Sequence, residues 1–132
     1  KHQRFSGRIR TVKCFRDNGL VKQLANSEGR GAVMVVDGGG SLASALMGDQ
    51  IAAAACKNNW AGVIIFGVIR DSVAINRMEF GLKALGTNPR KSAKDGAGDI
   101  DVTVSFGNVD FVPDAYLYSD EDGILVSAEP LA

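Results

Sequence analysis

An α/β domain is predicted, built as a parallel βαβ unit followed by antiparallel hairpins. Three observations predict it. Two continuous apolar runs of strand length, "AVMVVD" and "AGVIIFGVI", flank a helix-forming stretch, and strands buried on both faces belong to parallel sheets. Strand, helix, strand over residues 33–69 is the crossover that makes a parallel pair. The second half changes to alternating apolar and polar residues with turn signals, the mark of antiparallel hairpins. With 132 residues, the chain suits one domain, 1–132, around one core.

The elements follow in order. "FSGRIRTVKCF" alternates after Gly7 through Ile9, Val12 and Cys14 and reads as a strand. "NGLVKQLANSEGRG" is a short helix closed by Gly29 and Gly31. "AVMVVD" is the first buried strand. After Gly38, Gly39 and Gly40, Ser41 can cap a helical turn carrying Leu42, Ala45 and Leu46, and Gly48 breaks it. Asp49 then caps a second helix, "QIAAAACKNNW", with Ile51, Ala55 and Cys56 on its buried side. "AGVIIFGVI" is the second buried strand, "RDSVAINRM" a loop and short helix, and "EFGLKALG" a third strand. "TNPRKSAKDGAGD" is a polar loop. Its Arg90, Lys91 and Lys94 could form an anion site, with a solvated basic loop as the better default. "IDVTVSFGNVDFV" is a hairpin turning at Gly107-Asn108, and "AYLYSDEDGILVS" a strand pair around an acidic turn. Trp60 and Phe66 could face a subunit interface, with the core the better place for each.

Composition excludes several function classes. Lys+Arg and Asp+Glu are equal at 15 each, so the basic excess of a nucleic-acid binder is missing. No apolar run approaches the ~20 residues that span a bilayer. Cys14 and Cys56 lack metal-ligand spacing and fit reduced thiols in a cytoplasmic protein. The one histidine is His2, which argues against a histidine zinc site or a Ser-His-Asp triad. Any metal would be held by oxygen, which favours Mg²⁺ or Mn²⁺.

The glycine loop invites a nucleotide reading. Gly38, Gly40 and Ala43 satisfy G-x-G-x-x-A between a strand and a helix. The ribose-binding acid expected ~20 residues on is absent, because that region reads Lys57, Asn58, Asn59, Trp60. No G-K-[ST] follows, and the next strand ends "IIFGVI" without the acid a methyltransferase loop would need. A sharp exit from a buried strand is the simpler use of three glycines.

Two other stretches carry more chemistry. Gly48 and Asp49 open a helix whose first turn has unpaired N–H groups suited to a small anion. Arg70 and Asp71 leave the carboxyl end of an apolar strand, where α/β folds bind ligands. Arginine grips a carboxylate bidentately, and an adjacent aspartate can hold Mg²⁺. A small oxo acid matches both parts. A helix cap and a surface turn are the plain alternative.

"VVDGGGSLASALMGD", "NNWAGVIIFGVIRD", "GLKALGTNPRKSAKDGAGDIDVTVSFG" and "YLYSDEDGILVS" resemble the RraA-like family along nearly the whole chain. That family includes the regulator of ribonuclease E activity and the class II 4-hydroxy-4-methyl-2-oxoglutarate aldolases. Its aldolase branch is marked by D-X20-R-D, and Asp49, the residues 50–69, Arg70 and Asp71 satisfy that pattern. The resemblance implies a swivelling β/β/α domain and a cytoplasmic homotrimer with sites between subunits. It implies a divalent-metal-dependent lyase that cleaves 4-hydroxy-4-methyl-2-oxoglutarate or decarboxylates oxaloacetate through a metal-stabilised pyruvate enolate. Asp71 would bind Mg²⁺ or Mn²⁺. Arg70 and the backbone of Gly48, Asp49, Gln50 and Ile51 would bind the pyruvyl part, and Asp49 would orient a proton-shuttling water. The other implied role is a non-catalytic regulator that binds and inhibits a ribonuclease, with no direct nucleic-acid or membrane contact. Against the family pattern, the chain is expected to lack an N-terminal helical segment before Phe5. It is also expected to lack a C-terminal extension that sends an acid into a neighbouring site, which favours decarboxylation over aldol cleavage. A methyltransferase, a name sometimes given to this family, is the weakest reading.

Overall fold

The computed structural model describes residues 3–131. His2 lies outside the described residues. The chain forms three layers: a small hairpin, a central sheet and a helical layer.

Strand β1 (Phe5–Lys13) is followed by helix α1 (Gly19–Ala25) and strand β2 (Val33–Asp37). Val33, Met34, Val35 and Val36 are each fully buried. Both faces of β2 are therefore covered, and burying each such side chain is worth about 1.5–3 kcal/mol. β1 and β2 pair in parallel, from Ile9↔Val33 to Lys13↔Asp37.

The expected helical turn after Ser41 does not form. Residues 41–44 are an irregular loop, Leu42 is exposed, and Ala45–Met47 is a buried strand, β3. Ala45, Leu46 and Met47 are consecutive apolar residues, so they can be buried on both faces of a strand. The i, i+3, i+4 match of Leu42, Ala45 and Leu46 mimicked a helix face. Helix α2 (Asp49–Lys57) follows, with Gly48 at its cap position. Asp49 is thus the first helical residue and makes no side-chain cap bond. Ile51, Ala52 and Ala55 are buried, whereas Cys56 is only half-buried, its Sγ 3.5 Å from the Glu79 carbonyl.

Strand β4 (Gly62–Ile69) is the centre of the sheet. Its first part pairs with β2 and its last residues with β3, all in parallel. Its other edge takes strand β5 (Gly81–Thr87), again parallel, after the one-turn helix α3 (Ser72–Asn76). β1 divides its outer edge in the same way. Strand β6 (Asp99–Ile100) pairs with its end, and strand β9 (Tyr116–Ser119) with its start, both antiparallel. Strand β10 (Ile124–Ser127) closes the sheet beside β9.

Strands β7 (Val104–Phe106) and β8 (Val109–Phe111) form the predicted hairpin. Gly107 and Asn108 both have positive φ, 59° and 61°, as a tight primed turn requires. Residues 100–102, expected in the same arm, pair with β1 instead. The hairpin covers one face of the sheet through Val104 and Phe111 against Ile9, Val33, Val35 and Ile64. The helices cover the other face over Val12, Met34, Val36 and Val63. Trp60 lies in that helical core, and its indole N–H donates to the Ser27 carbonyl at 3.0 Å. Phe66 is half-buried and stacks on Phe106 at 4.7 Å. Among the described residues, no helix is long and apolar enough to cross a membrane.

Candidate active site

The site is built where β3 and β4 end side by side. Met47, the last residue of β3, pairs with Ile69, the last residue of β4. The Arg70 N–H then donates to the Met47 carbonyl at 3.0 Å. Gly48 and Asp49 leave one strand exactly where Arg70 and Asp71 leave the other. The spacing from Asp49 to Arg70 is thus the length of one α2 crossover returning to a parallel neighbour.

Close contact follows from this register. The Asp49 N–H donates to Asp71 Oδ2 at 3.1 Å, and Arg70 Nη1 donates to the same oxygen at 2.9 Å. The Arg70 guanidinium lies against Gly48: a Cβ there would be 2.7 Å from Arg70 Cζ. Asp71 has φ 57° and ψ 39°, the left-handed region that costs an L-residue about 1–2 kcal/mol. This conformation turns the chain out of β4 into α3 and brings the carboxylate to α2. The Arg70–Asp71 side chains are 26% and 34% exposed, and ion pairs this open contribute at most about 1 kcal/mol. Stability is therefore a weak reason for the arrangement.

Sequence-predicted residues Gly48, Asp49, Gln50, Ile51, Arg70 and Asp71 are thus brought together. Among the described residues, no protein acceptor takes the N–H of Gln50 or Ile51, the open donors of a first helical turn. Gln50, Ile51 and Arg70 line a cleft of ≈ 280 Å³. Lys91 and Lys94 line it too, whereas Arg90 does not. Ala54 of α2 lines it as well, and Lys22 of α1 with Asn26 at the C-cap of that helix completes it. Neither carried a motif signal, because α1 reaches the cleft only through its packing on α2.

The electrostatics of the cleft are positive. Burial pushes the Lys94 ammonium below the usual lysine range, and the charges of Lys22, Arg70 and Lys91 push the same way, opposed by Asp17. For a metal, the oxygens at hand are the Asp71 and Asp49 carboxylates. Among the described residues, no three His, Cys, Asp or Glu side chains gather into a cage. Among the described residues, both hydrogen bonds to the Asp71 carboxylate fall on Oδ2, which leaves Oδ1 for a hard cation. A donor set of one or two carboxylates fits an ion that keeps several waters, as Mg²⁺ does.

The glycine turn is arranged differently. Gly38 and Gly40 both donate their N–H to the Phe66 carbonyl at 3.1 Å, and Gly39 donates to Asp37 Oδ1 at 2.9 Å. Those amides are used within the fold.

A family model described as RraA-like, Aldolase/RraA, matches residues 1–126. A protein of Aromatoleum aromaticum named "Putative 4-hydroxy-4-methyl-2-oxoglutarate aldolase" is 55% identical over 127 residues, 96% of this chain and 80% of that protein. A protein of Dechloromonas aromatica with the same name is 54% identical, over 96% of this chain and 78% of its own length. Among solved structures, one titled as the RNA-processing inhibitor RraA from Thermus thermophilis superposes with TM-score 0.97 at 44% identity, covering 99% of this chain and 80% of that one. Another, titled as an S-adenosylmethionine: 2-dimethylmenaquinone methyltransferase from Geobacillus kaustophilus, gives 0.96 at 48% identity, covering 98% and 81%. These names differ in activity while agreeing in fold. The chain belongs to the RraA-like family, and its Asp49, Arg70 and Asp71 are assembled at the ends of two parallel strands.

Proposed function

We propose that the protein is a divalent-metal-dependent lyase that releases pyruvate from small 2-oxo acids. One observation carries this reading: Asp71 Oδ2 accepts from both the Asp49 N–H and Arg70 Nη1, beside a helix turn with open donors. The aldolase names of relatives at about half identity support the lyase class.

Arg70 and the N–H groups of Gln50 and Ile51 bind the substrate carboxylate and orient the 2-oxo group. Asp71 would hold Mg²⁺ or Mn²⁺, which supplies positive charge to the 2-oxo oxygen when bound. Asp49 holds the water that removes the C4 hydroxyl proton of 4-hydroxy-4-methyl-2-oxoglutarate. The C3–C4 bond then breaks, the C4 side leaves as pyruvate, and the electron pair left on C3 as an enolate takes back a proton from water to give the second pyruvate. With oxaloacetate the fragment lost is CO₂, and no hydroxyl proton has to move. The assembly that accompanies this reading is a homotrimer with sites between subunits, and light scattering tests it.

The deciding measurement is a coupled assay for pyruvate with each substrate, with and without EDTA. Pyruvate release that EDTA abolishes is expected. Equal turnover by the Arg70→Ala protein and the parent would sink the reading. The likeness to the Thermus RNA-processing inhibitor favours a second one, a non-catalytic inhibitor of a ribonuclease. It predicts a stable complex with a ribonuclease and no pyruvate release.

A further inference from the structure

The loop between β5 and β6, residues 88–98, is pinned to the rest of the chain at two places. Near its start, the Ala45 N–H donates to the Arg90 carbonyl at 2.8 Å, and Ser92 Oγ donates to the Ala45 carbonyl at 2.7 Å. Further on, it is held to the segment that leads into α1. The Asn18 N–H donates to the Ala93 carbonyl at 2.9 Å, and the Ala93 N–H to the Arg16 carbonyl at 3.0 Å. Gly19 lets the two segments touch: a Cβ there would lie 2.5 Å from the Gly96 backbone nitrogen.

Asp17 is the centre of this second clasp, and it is only 4% exposed. Its Oδ1 accepts the N–H groups of Gly19 at 2.9 Å and Gly96 at 3.1 Å, and its Oδ2 accepts that of Asp95 at 3.0 Å. One carboxylate thus joins the first turn of α1 to the loop. Among the described residues it has no ion-pair partner, so backbone amides compensate the burial of its charge.

The clasped stretch buries little of itself. Ala93, Lys94, Asp95 and Ala97 are exposed, so packing into a core does not account for its position. What the clasp fixes is Lys94. That side chain lines the cleft with Arg70, and its Nζ donates to Asn18 Oδ1 at 3.1 Å. Asn18 is itself buried beside Asp17. An ammonium has three donors, and this bond leaves two for the cleft. A lysine anchored beforehand loses less rotamer freedom when an anion binds, and so binds it more tightly.

We propose that Asp17 is a positioning residue for the cleft: it clamps residues 93–96 to the head of α1 and, with Asn18, holds the Lys94 ammonium where a bound anion meets it. The inference rests on the reading of the cleft as the seat of the substrate. It adds to that reading a residue that touches neither substrate nor metal.

A double-mutant cycle tests it, with pyruvate binding followed by calorimetry in the presence of Mg²⁺. Lys94→Gln should weaken binding about fivefold, as loss of a charge-assisted contact does. Asp17→Asn replaces one acceptor oxygen of the clasp by a donor and should weaken binding about threefold, the order of coupling within one hydrogen-bond network. The double variant should bind no more weakly than Lys94→Gln alone. Gly38→Ala, whose added Cβ strains a turn outside the clasp, should bind as the parent does. If Asp17→Asn fails to fold, Asn18→Ala, which removes only the side-chain acceptor of Lys94, takes its place in the cycle. Effects at the two positions that multiply, or either single variant binding like the parent, overturn the positioning role. A parent that binds no pyruvate removes the substrate seat and that role together. Pyruvate release by the parent separates the two readings. Coupled effects on binding without turnover keep the role of Asp17 and remove the lyase. Turnover with multiplying effects keeps the lyase and removes the role of Asp17.

Discussion

Two turns at the carboxyl ends of parallel strands carry glycine before a charged or polar residue, and they end in opposite states. At the end of β2, Gly38 and Gly40 direct their N–H groups to the Phe66 carbonyl, and a Cβ on Gly38 would lie 2.4 Å from Leu46 Cδ1. At the end of β3, Gly48 leaves room for the Arg70 guanidinium, and the amides of Gln50 and Ile51 are open. A glycine-rich strand exit therefore marks close approach. What approaches decides its use: main chain and side-chain carbons make a structural bend, whereas a charged group beside unpaired donors makes a binding site.

Several experiments can break or sharpen this contrast. Arg70→Ala and Asp71→Ala should lower pyruvate formation on the order of 10²–10³-fold, as loss of a single charge-stabilising group does. Asp71→Asn, which tolerates the left-handed backbone, should keep the fold and lose stimulation by Mg²⁺ or Mn²⁺. Gly48→Ala comes next. Its φ of −116° and ψ of −170° admit alanine, but the new Cβ displaces the guanidinium. A drop of about 10²-fold in kcat/KM at an unchanged melting temperature is expected, because small misplacements of an orienting group are that costly.

Gly38→Ala should behave in the reverse way. Its Cβ would meet Leu46 Cδ1 at 2.4 Å and the Phe66 carbonyl oxygen at 2.9 Å. Urea unfolding should show a loss of about 1–3 kcal/mol, the usual cost of overpacking, while kcat/KM per folded molecule stays near that of the parent. A catalytic defect without a stability defect would reverse the assignment of the two turns. Titration with S-adenosylmethionine should show no binding, since the glycine amides are already engaged.

The smallest effect concerns acid. Burial pushes the Asp17 carboxyl up, but the N–H groups of Gly19, Gly96, Ala97 and Asp95 outweigh it and hold it below the usual aspartate range. A carboxyl with a lowered folded value stabilises the fold above its unfolded value, and that contribution is lost as pH falls through the folded value. Asp17→Asn should therefore melt lower than the parent at pH 7. The gap should close as both proteins are taken below about pH 4, the ordinary aspartate range.

Most of the scaffold was legible because its signals are local. The continuous apolar runs of β2 and β4, the Gly107-Asn108 turn and the acidic turn before β10 each act within a few residues. β3 was not legible. Ala45 and Met47 pair with Val68 and Ile69, more than twenty positions away, and the spacing of Leu42, Ala45 and Leu46 also fits a helix face. Lys22 was missed for a related reason, since nothing near it in the chain marks the cleft it lines. Lys91 and Lys94 were visible as basic residues, but only the pinned loop distinguishes them from Arg90.

The amino-acid sequence by itself determined that Asp49 and Arg70-Asp71 lie one helical crossover apart, because spacing is a property of the chain. It also determined that the flanking strands are buried, because their apolar runs leave no polar face. The tertiary structure alone decided that these residues meet. The β3–β4 register sets Met47 beside Ile69, so the residues that follow each strand share one carboxylate oxygen. The physical reason is that a hydrogen bond depends on register between distant strands, and register is settled only when both have been packed into the same core.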